Sequence, residues 1–553
     1  MIKVKTRLRA WAQRFVLERI RTARHVMRFS FFLYRSRTLY IGTRGTLSYG
    51  EVESRVLRLH ALLLARGIRK GDVVFTWLPE TLEQFECRLA CHEGGAVYAA
   101  LHRDLGDETV LELARRAQPR CLIYDPLLAG NLLERLCALL PGLITLPIGA
   151  AYENALAMQH PMRSRAPLTE LDHAALHMTS GTTGVPKIMG VRHRLYFNSL
   201  RMLASALGLE RAPRHGGREV LLLGAPLSGP GYSMLFPAML VGGTLVHPPL
   251  IDAETVATWM ARHRATRAFM TPSTLSDLLD LPGIDRQDFS ALSLIYYGAE
   301  MMPAAKLAAA VRFFGPILQQ GYGSFEALPP VTWLLPHQHV AADGEPAHAD
   351  ILGSAGRVVP GVRVKIVDEQ DQPLPAGDIG QIAVRTPLAF EGYWHKPEMT
   401  EAVVRDGWVY LGDMGYFDAA GYLHVLGRRA DTVRRHGQAI YPRQVEEVAH
   451  EHAAVRDACL VQHGEHAVLV FSPRHAWQRH DRTELERLVR DLLHARLPRA
   501  LRPDRVMSVD SIPRSVLHKV LRRSARELVE RASSPSPFPA PAHAAISGAT
   551  STS

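Results

Sequence analysis

The stretch that decides the fold runs from Leu292 to Glu326, "LSLIYYGAEMMPAAKLAAAVRFFGPILQQGYGSFE". Its opening, "LSLIYYGAE", is apolar and aromatic, which predicts a strand that ends in a turn. "MPAAKLAAAVRFFG" follows with helical periodicity and a closing glycine. "PILQQGYGSFE" predicts a second strand with a glycine-rich exit. Upstream the rhythm is the same: "DAETVATWMARHRA" (252–265) predicts a helix, "TRAFMTPS" a short strand and "STLSDLLDL" another helix. Strand, helix, strand at this spacing argues for a parallel α/β sheet. Ligands of such sheets bind just beyond the carboxyl ends of the strands. Both "YGAE" (Tyr297–Glu300) and "GYGSFE" (Gly321–Glu326) fall at that edge. Two ordinary turns would explain the glycines but not the Tyr322 and Glu326 that accompany them.

A second stretch carries phosphate chemistry by composition. "MTSGTTGVPKIMG" (Met178–Gly190) holds two glycines, four hydroxyl side chains and one lysine between Thr179 and Lys187. Glycines let a backbone approach an anion closely, and hydroxyls and lysine meet its oxygens. Yet the spacing Gly181-x-x-Gly184-x-x-Lys187 fits neither a P-loop nor a dinucleotide-binding fingerprint.

At 553 residues the chain is too long for one core and should divide into at least two domains. From about Gly361 the pattern turns to short strands, "VRVKIVDEQDQPLPAGDIGQIAVRT" and "GWVYLGDMGYFDAAGYLHVLGRR", which predict antiparallel hairpins. Four regions are expected: a basic segment over 1–44, a large domain over 45–426, a small α+β domain over 427–530 and a disordered Ser/Pro/Ala-rich tail over 531–553. In the small domain "RTELERLVRDLLHARL" predicts a helix with Thr483 and Glu486 as a capping box and Leu485, Leu488, Val489 and Leu492 as its buried stripe. "AVLVF" and "DRVMSVD" predict flanking strands.

The net charge of +11 has one source. Residues 1–44 carry twelve Lys/Arg and a single acid, Glu18, so the rest of the chain is neutral. That argues against a nucleic-acid binder, whose charge is spread over a docking face. In the basic segment Val4, Leu8, Trp11 and Phe15 share a helix face. Three readings stay open for it: a helix docked on the first domain, a peripheral membrane contact, and a transit-like leader. Five scattered cysteines (Cys87, Cys91, Cys121, Cys137, Cys459) fit idle thiols in a reducing compartment, hence the cytoplasm. His337 and His339 are metal ligands by type, but in an exposed loop without a carboxylate cluster they read as surface histidines.

Taken together, the motifs resemble those of the adenylate-forming (AMP-binding) superfamily, and specifically its acyl-CoA synthetases. The resemblance runs from "LSYGEVESRVLRL" near Leu47 to "HKVLRRSARELV" near Val529, with its motifs in the right order. It implies a large α/β N-terminal domain with a small β-subdomain, followed by a small mobile α+β C-terminal domain. It further implies that Thr179, Ser180, Gly181, Thr182, Thr183, Gly184 and Lys187 surround the β- and γ-phosphates of ATP. Gly298, Ala299 and Glu300 match the segment lining the adenine and acyl sites. Tyr322 would stack on adenine beside Gly323 and Ser324, and Glu326 would hold Mg²⁺. Asp413 matches the carboxylate that receives the ribose hydroxyls, and Arg428 an arginine reaching the same sugar. Lys519 in "IPRSVLHKVLRR" matches the lysine that stabilises charge at the attacked phosphorus. Gly437 would leave room for the pantetheine arm of coenzyme A. Leu227, Ser228, Tyr232 and Tyr297 would line the acyl pocket, and Ala430 would be the hinge. The implied reaction joins a carboxylic acid, preferentially a fatty or other apolar acid, to coenzyme A through acyl-AMP. A carrier-protein pantetheine as acceptor, or a catalytically weak nucleotide-binding homologue, are the alternatives.

Four positions depart from the family's pattern. Ala430 stands where the hinge is usually Asp or Lys, and Phe325 replaces a threonine before Glu326, with Ser324 as the hydroxyl next to it. His518 replaces a glycine before Lys519, and "PLSGPG" (226–231) lacks an aromatic–His pair. None removes a charged catalytic group.

Overall fold

The computed structural model of the chain describes residues 21–179, 186–209, 218–514 and 520–533. They divide into two compact units, one of the residues up to Ala430 together with Arg514, the other of Asp431–Pro513 and the residues from Val520. The junction expected after residue 426 is passed because strand Leu423–Arg428 stays paired with Trp408–Phe417 as far as Asp413 opposite Arg428.

The first unit is built on three sheets. A nine-stranded sheet runs, edge to edge, Arg357–Val358, Thr332–Leu334, Leu318–Tyr322, Leu294–Gly298, Arg267–Met270, Val220–Gly224, Thr244–Val246, Thr38–Gly42 and Gly45–Ser48. The pairs from Leu318–Tyr322 across to Thr38–Gly42 are parallel, as the strand–helix rhythm predicts. Helices Ala253–Arg262, Pro272–Leu279 and Ala304–Phe314 connect them, the first two capped by Asp252 and Thr271 accepting from backbone N–H groups.

Strand alternation sorts the side chains of this sheet into two cores. Leu221, Leu223, Leu245, Phe269, Leu294 and Tyr296 enter one. Leu222, Val246, Ala268, Met270, Ile295 and Tyr297 enter the other, against the connecting helices. A six-stranded sheet, ordered Ile144–Pro147, Cys121–Tyr124, Val73–Trp77, Val97–Leu101, His173–Thr179, Lys187–Arg192, is parallel except for its last pair. The predicted hairpins form a five-stranded antiparallel sheet over 363–428.

Part of the basic N-terminal segment belongs to this body. Helix Ala23–Leu33 buries Val26, Met27 and Phe31 in the first core, and Thr38–Gly42 is a strand of the large sheet. Several of its cations are paired: Arg28 with Glu93, Arg35 with Glu53, and Arg44 with Glu83 and Glu153, while Arg37 lies over the Tyr34 ring and buried Arg24 donates to the Ala166 carbonyl. Val4, Leu8, Trp11 and Phe15 lie outside the described residues. No described helix is long and apolar enough to cross a membrane.

The second unit pairs Val455–His463, His466–Pro473 and Arg505–Ser508 in one sheet, packed with helices Pro442–Ala449, Arg482–Arg496 and Arg522–Ser533. Its long helix differs from expectation at the start. Asp481, not Thr483, is the cap, accepting from Glu484 N, and Glu486 accepts from Ser508 N at 2.8 Å instead of closing a box. The buried stripe is Leu485, Val489 and Leu493, spaced by four, while Leu488 and Leu492 are half-buried. The helix Arg522–Ser533 takes in the first residues that composition assigns to the tail; the rest of that tail lies outside the described residues.

Candidate active site

The exits of two neighbouring parallel strands shape one end of the site. Gly298 and Gly321 are register partners, and a Cβ on Gly298 would meet the Gly321 carbonyl at 2.5 Å. Only glycine permits that approach. Ala299 next to it has φ +72, a left-handed conformation that costs an L-residue energy and recurs where function fixes the backbone. Glu300 follows, its carboxylate accepting from the Ser273 hydroxyl at 2.5 Å. Gly323 lies against Pro329, where a Cβ would meet the ring at 2.8 Å, and Ser324 Oγ accepts from Ala327 N.

From these exits a chain of polar groups extends. Tyr322 donates its hydroxyl to Asp413 Oδ2 at 2.6 Å, and Arg428 Nε holds Asp413 Oδ1 at 3.0 Å. Arg428 is itself fixed by donating to the Leu411 carbonyl at 2.8 Å. Burial, and then the Asp413 charge, push the Tyr322 phenol well above its ordinary range, so it stays a donor.

A second chain crosses from the six-stranded sheet. Lys187 pairs in register with Thr179, so the two residues are the feet of the glycine-rich loop. Lys187 Nζ lies 3.4 Å from the Tyr393 hydroxyl and 4.9 Å from its ring centroid. That hydroxyl donates to Glu326 Oε1 at 2.9 Å. Burial, with the neighbouring Glu326 carboxylate, pushes the Tyr393 phenol up as well. The segment carrying Tyr393 is stitched to both sides: Phe390 N donates to the Glu326 carbonyl and Trp394 N to the Ile188 carbonyl, each at 2.8 Å. Tyr393 thus joins the phosphate-loop motif to the Glu326 motif, and no motif pointed to it. Its only sequence signal is the glycine before it, Gly392, whose φ of +138 bends the backbone there.

Among the described residues no cluster of three or more His, Cys, Asp or Glu could hold a metal by itself. Glu326, half-buried and with one oxygen toward Tyr393, fits the single-carboxylate mode in which Mg²⁺ binds together with substrate phosphates. His339 is no surface histidine: it is fully buried, with Nε2 2.9 Å from the Tyr297 hydroxyl and Nδ1 2.9 Å from the Leu335 carbonyl.

The residues expected around the acyl group do not all meet. Leu227 N donates to Glu80 Oε2 at 2.9 Å, a carboxylate that also holds His247 at 3.0 Å. Ser228 Oγ is 3.4 Å from His102 Nδ1. Tyr232 stacks on Tyr196, with centroids 6.0 Å apart, and its hydroxyl is 3.5 Å from His177 Nδ1. The His177 ring in turn meets Phe325, centroid to centroid 5.1 Å. Burial, with the charge of Arg88, pushes His177 down to about 3, so it is neutral near pH 7. Tyr297 is the exception: it points into the opposite core with His339, and Tyr296 is the tyrosine on the Leu227 side. Strand parity decides this, and two consecutive tyrosines conceal the parity in the sequence.

Gly437 occupies, with His436, a two-residue hairpin turn between Val433–Arg435 and Gln438–Ile440, both residues at positive φ. Ala430 lies in the short turn Arg429–Asp431 where the two units divide. Ser180, Gly181, Thr182, Thr183, Gly184, His518 and Lys519 lie outside the described residues, as does the Thr179 side chain.

Known proteins were compared with this chain. The profile of the AMP-binding enzymes matches residues 32–394. A medium/long-chain-fatty-acid–CoA ligase of Mycobacterium tuberculosis is 32% identical over 360 residues, 64% of this chain and 60% of that protein. A fatty acid–[acyl-carrier-protein] ligase of Streptomyces coeruleorubidus is 28% identical, covering 87% of this chain and 91% of its own. A feruloyl-CoA synthase of an Amycolatopsis species is 32% identical, covering 75% and 80%. A solved structure of an anthranilate CoA ligase with anthranoyl-AMP superposes with a TM-score of 0.82 over 93% of this chain and 98% of that one, at 22% identity.

Proposed function

We propose a reaction for this chain, which belongs to the AMP-binding enzyme family: it activates a carboxylic acid with ATP as acyl-AMP and passes the acyl group to the thiol of coenzyme A. The observation that carries the reading is the joined pair of chains Tyr322–Asp413–Arg428 and Lys187–Tyr393–Glu326 at the strand exits. Each member has the chemistry that one part of ATP requires. Asp413 is a buried carboxylate able to accept sugar hydroxyls, beside an aromatic ring for the base. Lys187 stands at the foot of the loop that would hold the departing pyrophosphate.

In the first half-reaction a carboxylate oxygen attacks the α-phosphorus and the bond to the β-phosphate oxygen breaks, releasing pyrophosphate. Little covalent chemistry falls to the protein, which must align the partners and neutralise charge. Mg²⁺ supplies part of that neutralisation when bound with ATP, and Glu326 is the residue that would hold it. Lys519 would stabilise the charge on the attacked phosphate. In the second half-reaction the thiol attacks the acyl carbonyl, its proton leaves and AMP departs. Ala430 would be the hinge that exchanges Lys519 for the thiol, and Gly437 would leave room for the pantetheine arm.

The acid is read as a fatty or aryl acid, since the rings of Tyr196, Tyr232, Phe325 and His177 and the side chains of Leu227 and Tyr296 make the acyl side largely apolar. Similarity to both fatty-acid and feruloyl ligases supports that range. A carrier-protein pantetheine is the second acceptor to test, favoured by the carrier-protein ligase that matches most of the chain. The experiment is pyrophosphate release with a panel of acids, followed by identification of the thioester formed with coenzyme A or with a carrier protein. Lys519→Ala should lower adenylation by ~10²–10³-fold; unchanged release in that variant would sink the assignment.

A further inference from the structure

Arg88 is used by nothing described so far. It sits on helix Leu82–Gly94, only 3% exposed, with its guanidinium carbon 4.4 Å from the Tyr98 ring centroid and 4.5 Å from that of Tyr232. Its hydrogen bonds are few and long: 3.3 Å to the Tyr196 hydroxyl and 3.5 Å to the Leu227 carbonyl. Among the described residues no carboxylate lies within ion-pair distance of it. Arg267, also buried, shows the usual arrangement, with Glu219 held on two nitrogens at 3.0 and 3.1 Å. A guanidinium cannot shed its proton in a protein, so Arg88 is a buried cation without a counter-charge. Ring faces offset only part of that cost.

A second polar group in the same cluster lacks a partner. His177 is 6% exposed, and its Nε2 has none although its ring touches Tyr232 and Phe325. Both groups border the Tyr232 ring: its centroid is 4.9 Å from that of His177 and 4.5 Å from the Arg88 guanidinium carbon. His177 belongs to the strand that leads into the phosphate loop, and Phe325, which its ring meets, precedes Glu326.

We propose that Arg88 is a specificity determinant of the acid site, selecting acids that carry, besides the reacting carboxylate, a second accepting oxygen as carboxylate or hydroxyl. This rests on the acyl-adenylate reading given above. Such an oxygen supplies the guanidinium with a charge-assisted hydrogen bond. A plain hydrocarbon end leaves the donors unpaired, and sites built around a buried polar group reject analogues lacking its partner far more strongly than apolar sites reject a methylene.

The test uses the full chain and matched acids: a straight-chain acid, its ω-hydroxy and its α,ω-dicarboxylic counterpart, and benzoic against hydroxybenzoic acids. Pyrophosphate release should show kcat/KM at least ~10-fold higher for an oxygen-bearing member than for its plain parent, and the better of the two oxygens identifies the acceptor. Arg88→Met should collapse that ratio toward one, while Arg88→Lys keeps part of it. Wild-type preference for the plain acids overturns the inference, and so does an equal loss on both members in Arg88→Met, which is what a mere packing strut would give. The wild-type ratio needs no variant, so the inference stays testable if Arg88→Met does not fold. No pyrophosphate from any acid is a different outcome: it defeats the adenylation reading itself, and this inference with it.

Discussion

The proposed nucleotide end and the proposed acid end handle polar groups in different ways. At the first, the charged groups lean on one another: Asp413 on Tyr322 and Arg428, and Glu326 on Tyr393, which also meets Lys187. At the second, Arg88 is sunk among rings with only two long hydrogen bonds, and His177 Nε2 has no partner. A site for an invariant ligand can arrange its residues before the ligand arrives, each holding its neighbour in place. A site that must discriminate among ligands leaves the distinguishing bond to be made by the right one.

The largest effect that would break this contrast concerns buried cations. Arg267→Met removes the partner of Glu219, a carboxylate only 5% exposed, and should cost ~3–5 kcal/mol of stability because that charge is left alone. The same change at Arg88 strands no carboxylate and should lower the melting temperature much less. Equal losses in calorimetry would mean that Arg88 is as firmly satisfied as Arg267, contrary to its geometry. At the nucleotide end Asp413→Ala loses two charge-assisted bonds at once. With each worth ~1.5–3 kcal/mol, kcat/KM for ATP should fall ~10²–10⁴-fold. A drop of only two- or threefold would show that the Tyr322–Asp413–Arg428 chain is structural and not part of the ATP site.

The same contrast explains what was legible beforehand. Lys187, Tyr322, Glu326, Asp413 and Arg428 stand in short stretches that resemble the family's motifs, and that resemblance, more than spacing alone, singles them out. Parallel strands over 267–322 were legible because each is bounded by a helix, a proline or a glycine. Arg88, Tyr98, Tyr196 and Tyr232 come from four separate elements, and no local pattern encodes such a cluster. Its neighbours Cys87 and Leu89 are buried too, so burial of the whole helix Leu82–Gly94 conceals which face carries the cation. Tyr296 and Tyr297 alternate to opposite cores, but with like residues on both faces the sequence has no parity to read. His339 looked like a loop histidine because its partner, Tyr297, is a strand residue of a different motif. Asp481 displaced Thr483 as the helix cap because an aspartate two residues earlier accepts from Glu484 N.

Buried histidines give the acid-side core and the opposite core a common pH dependence. His177 is held at about 3 and His339 at about 4, both by burial first, against 6.5 when unfolded. The unfolded chain therefore binds the extra protons between those values, and stability is complete above pH 6.5 and declines as the pH falls toward 4. Each group contributes up to ~1.4 kcal/mol per pH unit in that window. His339→Gln should flatten the fall in melting temperature between pH 7 and 5 by one proton's share, even though it lowers the value at pH 7. A slope unchanged by the substitution would remove His339 from the account.

The smallest effect is the most discriminating for the nucleotide end. Tyr393→Phe keeps the ring under Lys187 and deletes only the hydroxyl that donates to Glu326. Loss of one such bond is worth ~1 kcal/mol, so a ~5-fold fall in the rate of pyrophosphate release is expected. The loss should shrink as Mg²⁺ is raised, because the hydroxyl orients a carboxylate and does not itself touch phosphate. Were the deficit instead to shrink only with ATP, Tyr393 would be acting through Lys187, and the bridge between the two motifs would work from the opposite end.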